Sequence, residues 1–311
     1  MLAHKAPAAV TTIPMWIATA VAFAFCGYSL WRAWWQGVRF VAIILAAALF
    51  GYGLEVVAIA TSNDYHYGPF PGMLPGGVPA MIVVSWGGLV YGVMRTSDSL
   101  GLKWYLRPIY DGMLALLIDL SLDPVSIALG FWVWTMPHKH WFGVPFANYI
   151  GWYSMVFGFS LAARTLFRLL DPGNRSVVWS ILVPLIAIPV ALVPFGLLMG
   201  LYLFLAGRME EPLVFSAFLG TFAVLILRYF PSLPRDAPLD FSALAAPIVF
   251  GSFEFLMLYA SGLWQATSLY QEDADFVILV PLIAILSMIC FAWPYLDDIG
   301  AKVRPAYKIT E

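Results

Sequence analysis

The stretch IYDGMLALLIDLSLDPV, residues 109–125, sets three aspartates into a segment that is otherwise almost entirely apolar. These are Asp111, Asp119 and Asp123, and two further carboxylates, Glu55 and Glu254, interrupt other apolar stretches in the same way. An ionisable group at membrane depth is costly, and such groups normally face a protein interior or a wet cavity. Each of the five is therefore a candidate functional residue.

The composition indicates an integral membrane protein. Of the 311 residues, 62% are hydrophobic, 16% aromatic and 11% charged, whereas roughly a quarter are charged in soluble domains. Apolar stretches of about 20 residues can cross the hydrocarbon core of a bilayer. We predict a single all-α transmembrane domain over residues 1–311. It is a polytopic bundle of about nine transmembrane helices, and any number from eight to ten is compatible with the sequence. The nine stretches are Pro14–Trp35, Phe40–Thr61, Pro79–Met94, Ile109–Met136, Val144–Phe167, Val177–Ala206, Pro212–Leu227, Phe241–Trp264 and Phe276–Tyr295.

The sixth stretch is long and contains three prolines, Pro184, Pro189 and Pro194, so it is compatible with one kinked helix or two short ones. The distribution of basic residues favours one helix. With nine spans, alternate loops hold thirteen of the 16 Lys and Arg, and the opposite side keeps Lys5, Lys139 and Arg208. Basic residues concentrate in cytoplasmic loops. We therefore predict an outside amino terminus and a cytoplasmic carboxyl terminus.

Other classes of partner have little support. A net charge of −2 gives no indication of nucleic-acid binding. Cys26 and Cys290 both lie within apolar stretches, which indicates neither a disulfide framework nor a cysteine metal site. We find no convincing internal repeat in the sequence.

Asp119 and Asp123 are the strongest candidates for chemistry. They are four residues apart and therefore lie one turn apart on one helical face. Two carboxyl groups this close in a dry site do not both ionise readily, so one stays protonated and is suited to act as a general acid. The alternative is that Asp123 caps or breaks the helix before Pro124, with Asp119 hydrogen-bonded to a neighbouring helix.

The remaining acids have structural alternatives of their own. Glu55 follows small and aromatic residues that permit close helix approach, so an interhelical hydrogen bond competes with a functional role. Glu254 has no basic partner nearby in sequence and is compatible with a structural protonated carboxyl or with the site. Asp111 lies near the basic boundary and is expected to pair with Arg107.

Histidines raise the question of a metal. His66, His138 and His140 lie in the loops that follow the second and fourth stretches, and imidazoles with carboxylates form iron and zinc sites. Membrane di-iron enzymes carry many more clustered histidines than this chain. We predict no metal and interpret these histidines as interfacial loop residues, with a mononuclear metal site as the alternative. The loop after the eighth stretch adds Gln265, Glu272, Asp273 and Asp275 at the same end.

The order of motifs between residues 51 and 164 is distinctive. It resembles the membrane carotenoid-biosynthesis family that includes carotenoid 1,2-hydratases and bisanhydrobacterioruberin hydratases. The resemblance rests on Glu55, Tyr65-His66-Tyr67-Gly68, Gly77-Val78-Pro79, Trp86, Asp119, Asp123-Pro124-Val125, Trp132, Trp134, Gly143-Val144-Pro145, Asn148 and Gly151-Trp152.

The resemblance implies cofactor-free hydration of the terminal double bond of an acyclic carotenoid. Protonation of such an alkene leaves a tertiary carbocation, which requires a strong acid, stabilisation of the cation and a controlled water. Asp119 or Asp123 would donate the proton, and Glu55 would hold or deprotonate the water. Aromatic faces would stabilise the cation, although many aromatic residues are expected to be interfacial belt residues. The implied substrate-binding residues are Tyr65, His66, Tyr67, Trp86, Trp132, Trp134, Asn148, Trp152 and Glu254.

Three other functions remain open at the level of sequence. The same cation chemistry serves an isoprenoid end-group cyclase or isomerase. Buried acids and proline-broken helices are also found in secondary transporters, and a non-catalytic carotenoid-binding subunit is the third possibility. The resemblance implies a location in a bacterial or archaeal cytoplasmic membrane, with a carotenoid or other isoprenoid lipid and the membrane lipids as partners.

Overall fold

A computed structural model describes residues 8–62, 65–135, 140–173, 176–229, 233–260 and 276–303. Within these ranges the chain forms ten α-helices, of which the first nine have 17 or more residues. The helices are α1 Ala8–Gln36, α2 Val38–Ser62, α3 Ala80–Ser99, α4 Arg107–Ala128, α5 Phe146–Leu170, α6 Val177–Ala206, α7 Glu211–Tyr229, α8 Phe241–Ala260, α9 Phe276–Ala292 and α10 Leu296–Val303.

Five helical segments are long and apolar enough to cross a membrane. They fall in α1, α2, α6, α8 and the region from α9 into α10, with mean hydropathy between 1.6 and 2.6. The other long helices carry more polar residues, and many of those on α3, α4 and α5 are buried inside the protein, among them Thr96, Asp111, Asp119, Asp123 and Arg164. A helical membrane bundle therefore agrees with the prediction, while the crossing of all nine helices and the orientation of the termini stay predictions.

The long sixth stretch forms one helix. α6 runs without interruption from Val177 to Ala206 and contains Pro184, Pro189 and Pro194. The prediction of one helix rather than two is confirmed for this segment. Prolines are tolerated in membrane helices because neighbouring groups satisfy the freed backbone carbonyls.

Helix α4 occupies the centre of the packing and contacts α3, α5, α8 and α9. Its close fit against α5 depends on Gly112, where an added Cβ would lie 2.8 Å from the Tyr153 ring. Asp111, Asp119 and Asp123 are all buried in this position. The charged groups that interrupt the α4 sequence therefore face protein rather than lipid.

The boundary of α4 differs from the sequence prediction in two ways. The helix continues through Pro124, so the interpretation of Asp123 as a helix-breaking residue is wrong. It then ends at Ala128, well before Met136, because Gly130 adopts φ = 71°, a conformation that glycine accepts without strain. The chain beyond this turn is extended, and the fourth apolar stretch is therefore a helix followed by a strand.

Three short two-stranded sheets modify the all-α prediction. β1 Tyr65–Tyr67 pairs antiparallel with β4 Trp132–Trp134, β2 Met73–Leu74 with β3 Val78–Pro79, and β5 His140–Trp141 with β6 Val144–Pro145. The β1–β4 pair joins the loop after α2 to the loop after α4. Both loops therefore lie at the same end of the bundle, as the nine-span prediction places them.

The strands reveal an internal repeat that we did not find in the sequence. The order α2–β1–β2–β3–α3 matches the order α4–β4–β5–β6–α5. Each unit ends its strands with Gly-Val-Pro and places a tryptophan seven residues after the proline, at Trp86 and Trp152. The two units share too few residues for the repeat to be recognised from the sequence. In the structure, however, they place corresponding residues side by side, as Trp86 and Trp152 show.

A buried ion cluster fixes the opposite ends of α3, α4 and α5. The Arg164 guanidinium contacts the Asp98 carboxylate at 2.5 Å and the Asp111 carboxylate at 3.2 Å. Ser160 also donates a hydrogen bond to Asp111, and Arg107 pairs with Asp98 at 2.7 Å. The expected Asp111–Arg107 pair is therefore wrong. Asp111 has a structural partner on α5 because its helix position faces inward rather than toward the boundary.

Candidate active site

An apolar cavity is lined by residues of both repeat units and of the helices α1 and α8. Its volume is about 70 Å³, several times the roughly 10–15 Å³ that is needed to hold one water. The side facing α1 and α8 is apolar and includes Ala22, Phe25 and Phe250. Eight of the predicted site residues line the cavity, namely Glu55, Tyr65, Tyr67, Trp86, Asp123, Trp132, Asn148 and Trp152.

The first carboxylate at the cavity is Glu55, in the last turns of α2. The Trp86 indole donates a hydrogen bond to one oxygen of Glu55 at 3.3 Å, and the Tyr65 hydroxyl donates to the other at 3.5 Å. The Tyr67 hydroxyl lies beside the same carboxyl group. Glu55 thus forms interhelical hydrogen bonds and also lines the cavity, so its two sequence interpretations are compatible.

The tyrosine hydroxyls act as donors at this position. Burial raises the pKa of Tyr65 and of Tyr67 well above the usual range, and the negative charge of Glu55 adds to the effect. Both hydroxyls therefore remain protonated at any physiological pH. They are held by β1, whose alternation turns Tyr65 and Tyr67 inward and leaves His66 exposed.

The second carboxylate at the cavity is Asp123, on α4. The Asn148 amide of α5 donates a hydrogen bond of 2.6 Å to one of its oxygens. Asp119, one turn earlier, interacts directly with the Asp123 carboxyl group but does not line the cavity. Apart from that carboxyl group, neither oxygen of Asp119 has a hydrogen-bond partner among the described residues. Asp123 is therefore the member of the pair that a bound substrate would meet.

Aromatic rings form the walls around these carboxylates. Trp86 and Trp152, from corresponding positions of the two repeats, have ring centroids 4.3 Å apart. Tyr67 packs edge-on against Trp132 at 5.9 Å, and Tyr65 stacks on Trp134 at 4.4 Å. Trp134 lies behind Tyr65 and does not line the cavity. The paired strands β1 and β4 thus supply one continuous aromatic wall.

The other predicted site residues lie elsewhere. Glu254 is buried beside Ser121, close to Asp119 and Asp123 but not at the cavity surface. His66 is exposed and points away from the cavity. The predicted polar groups His138, Gln265, Glu272, Asp273 and Asp275 lie outside the described residues, as does the side chain of His140. Within the described part of the chain, no group of three or more His, Cys, Asp or Glu is arranged to hold a metal.

Sequence reasoning missed part of the lining. Ser126, one turn after Asp123, lines the cavity, and α1 and α8 contribute its apolar side. The spacing of Ser126 from Asp123 was a usable signal, since residues three apart on a helix are neighbours. The contribution of α1 and α8 depends on tertiary packing and has no local motif.

Similarity to known proteins identifies the family of this chain. Residues 11–223 match the family model described as carotenoid biosynthesis protein, which covers more than half of the chain. The chain belongs to the carotenoid biosynthesis protein family. The chain is also similar to a protein named bisanhydrobacterioruberin hydratase, from Haloarcula japonica, to which it is 33% identical over 117 residues. That alignment covers 35% of this chain and 39% of the relative, well under two thirds of its length. No solved structure matches the chain.

Proposed function

We propose that this carotenoid biosynthesis protein hydrates the terminal double bond of an acyclic carotenoid end group without a cofactor. The observation that carries the proposal is a single apolar cavity with aromatic walls that is lined by two carboxyl groups, Glu55 and Asp123. The name of the archaeal relative, a hydratase, supports this reaction type.

Asp123 is the proton donor in this proposal. It lines the cavity, and its neighbour Asp119 lies within interaction distance. Adjacent carboxyl groups in a dry site favour a state in which one holds a proton. Transfer of that proton to the less substituted alkene carbon leaves a tertiary cation on the other carbon.

Glu55 is the base that completes the addition. The Trp86 and Tyr65 hydrogen bonds stabilise its carboxylate form. Water adds to the cation through its oxygen, and Glu55 accepts the proton that this water releases. Asp123 has then lost one proton and Glu55 has gained one, and return of a proton from Glu55 to Asp123 through water restores both groups. The net reaction therefore consumes only the carotenoid double bond and water.

The cation itself requires stabilisation in an apolar site. Trp86, Trp152 and Trp132 present ring faces and edges around the cavity. A cation over an aromatic face gains about 0.5–2 kcal/mol, and more when desolvated. Asn148 has a positioning role, because its hydrogen bond orients Asp123.

The apolar side of the cavity suits the polyene. A rod-like carotenoid within the bilayer would extend along α1 and α8 and place its terminal isoprenoid unit at Glu55 and Asp123. We propose accordingly that the protein is a single-domain enzyme of a bacterial or archaeal cytoplasmic membrane, in contact with membrane lipids.

The proposal is tested in cells that accumulate lycopene and express the full chain. The product is expected to gain the mass of one water at each reacted end, as shown by chromatography and mass spectrometry of the extracted pigments. Asp123→Asn and Glu55→Gln are expected to abolish this product. Asp236→Asn, which changes an exposed carboxylate, is the matched control and is expected to retain it.

Other outcomes would contradict hydration. A cyclised or isomerised pigment of unchanged mass would show that the cation forms but that water does not capture it. Lycopene that co-purifies unchanged with the wild type, and equally with Asp123→Asn, would instead indicate a carotenoid-binding subunit.

A further inference from the structure

A buried serine at the cavity has a hydroxyl that the protein itself does not satisfy. Ser126 on α4 is 1% exposed and lines the cavity. Its Oγ has no hydrogen-bond partner among the residues that the structure describes. We propose that the Ser126 hydroxyl holds the water that adds to the substrate, an inference that rests on the proposed hydration.

Ser126 differs from the other unpaired helix serines by its place at the cavity. Ser29, Ser154 and Ser287 also have no hydrogen-bond partner among the described residues, but none of them lines the cavity. Serine and threonine side chains within helices commonly bond to a backbone carbonyl one turn earlier. Ser121 on the same helix does so, donating to the Ile118 carbonyl at 3.0 Å, and Thr96 donates to the Gly92 carbonyl at 3.1 Å. Ser126 forms no such bond and instead lines the cavity. Because buried polar groups are nearly always paired, its position indicates a partner supplied from the cavity.

The neighbouring polar atoms define where that partner would lie. The Glu55 oxygens already accept hydrogen bonds from Trp86 and Tyr65, and one Asp123 oxygen accepts from Asn148. The second Asp123 oxygen is buried and, apart from the neighbouring Asp119 carboxyl group, has no hydrogen-bond partner among the described residues, and Ser126 Oγ has none. Asp123 and Ser126 lie one turn apart on α4, so their side chains are neighbours. A bound water needs two to four polar partners, and this pair supplies the minimum in a cavity that has room for it.

The chemistry of a hydroxyl suits this role. Ser126 is neutral, so it does not compete with Asp123 as an acid, and it can both donate to and accept from a water. It therefore positions the water for the cation without taking part in the first proton transfer. A cation that is not captured by water loses a proton and returns to an alkene.

The two fates of the cation, capture by water and loss of a proton, allow water capture to be measured separately from protonation. In D2O the acid delivers deuterium to the alkene carbon. If the cation then loses the original hydrogen from that carbon, the recovered alkene contains deuterium although no alcohol has formed. Alcohol yield reports both steps, and deuterium in the recovered alkene reports protonation alone.

The experiment uses the purified full chain in lipid vesicles with lycopene in D2O. Ser126→Ala is expected to lower the alcohol yield about tenfold, the effect of one lost hydrogen bond at the upper end of its usual range. Deuterium in the recovered alkene is expected to persist, so its ratio to alcohol rises. Ser126→Thr retains a hydroxyl and is expected to restore the alcohol.

The matched control is Ser154→Ala on α5. Ser154 is fully buried and its Oγ also has no hydrogen-bond partner among the described residues, but it does not line the cavity. This variant measures the effect of deleting a buried hydroxyl as such. It is expected to leave both alcohol yield and deuterium incorporation unchanged.

The outcomes are distinct. Wild-type alcohol yield in Ser126→Ala would overturn the role of Ser126 while hydration stands. Loss of both alcohol and deuterium in Ser126→Ala would assign Ser126 to protonation or substrate binding instead, and so would also overturn it. Failure of Ser126→Thr to restore the alcohol in a folded protein would have the same consequence. If the wild type forms neither the alcohol nor the deuterium-labelled alkene, the proposed function itself is contradicted.

Discussion

Asp119 and Asp123 lie one turn of helix apart, and only Asp123 lines the cavity. The sequence places both on one face of α4 and leaves either of them as a candidate for the proton donor. The structure separates them, because Asp123 lines the cavity and accepts a hydrogen bond from Asn148, whereas Asp119 lies behind it. The difference depends on the rotation of α4 against α5, which the local sequence does not specify.

This separation predicts unequal effects of neutralising the two residues. Asp123→Asn removes the proposed proton donor and is expected to lower hydration by at least about a hundredfold, the usual range for a general acid. Asp119→Asn leaves the donor in place and is expected to retain more than about a tenth of the activity, since it removes only an interaction with that donor. Initial rates with lycopene measure both.

Equal loss in the two variants would contradict the assignment of Asp123 alone. It would indicate that the two carboxyl groups act as a unit. Asn148→Asp, which changes the partner of Asp123 while keeping its size, provides a further check. It is expected to lower activity because it replaces a donor to Asp123 with a carboxylate.

At the scale of elements, the two helix–strand–helix repeats create the site. Each contributes a carboxylate from its first helix and a tryptophan from its second, so that Glu55 with Trp86 corresponds to Asp123 with Trp152. The motifs themselves were visible in the sequence. Their correspondence was not, because the pairing of β1 with β4 is a contact between residues far apart in the chain.

Close approach of α2 and α3 is required to seat Trp86. A Cβ added at Gly51 would lie 2.5 Å from the Trp86 ring and 2.9 Å from its Cβ, whereas one added at Gly53 meets nothing within 4 Å. Because the Trp86 Cβ cannot move without its helix, Gly51→Ala is expected to displace the indole from Glu55. Hydration is expected to fall at least about tenfold through the lost hydrogen bond.

Gly53→Ala is the matched control for this prediction. It lies half a turn away on the same helix, meets open space and is expected to keep wild-type activity. Tryptophan fluorescence compares the two variants. Wild-type activity and an unchanged emission spectrum in Gly51→Ala would show that the contact at Gly51 does not fix Trp86.

At the scale of the whole molecule, one carboxylate connects distant parts of the chain. Asp240, just before α8, contacts Arg95 of α3 at 2.8 Å and Arg32 of α1 at 3.4 Å. Burial tends to raise the pKa of Asp240, but the positive charge and hydrogen bonds of Arg95 outweigh this effect and lower it. These contacts join three helices that border the cavity.

The lowered pKa predicts a pH-dependent contribution to stability. A carboxylate whose folded pKa is depressed stabilises the protein above its unfolded pKa of about 3.9, and the contribution is lost as the pH falls through the folded value. Asp240→Asn is expected to lower the free energy of unfolding by about 1.5–3 kcal/mol at neutral pH. As the pH falls through the folded pKa of Asp240, the wild type and the variant are expected to converge.

Thermal unfolding in detergent across this pH range measures the effect. Asp236→Asn, a nearby exposed carboxylate, is the control and is expected to unfold like the wild type at every pH. A difference between Asp240→Asn and the wild type that stays constant into acid would show that the contribution does not come from ionisation.

The membrane topology is a separate prediction at this scale. Positions of all nine long helices were predicted from apolar length, because hydropathy reports that property directly. The direction in which they cross depends on the distribution of Lys and Arg. A reporter fused after Lys308 is expected to read as cytoplasmic, and a tag inserted after Arg208, between α6 and α7, as extracytoplasmic. The reverse result at both positions would contradict the predicted orientation.

The whole account depends on water being the reactant that modifies the carotenoid. The most direct measurement incubates the purified full chain with lycopene in water labelled with oxygen-18, without oxygen gas or added cofactor, and determines the mass of the product. The account predicts a tertiary alcohol whose oxygen carries the label. Absence of product until oxygen gas is supplied, or a hydroxyl oxygen that comes from the gas, would contradict hydration.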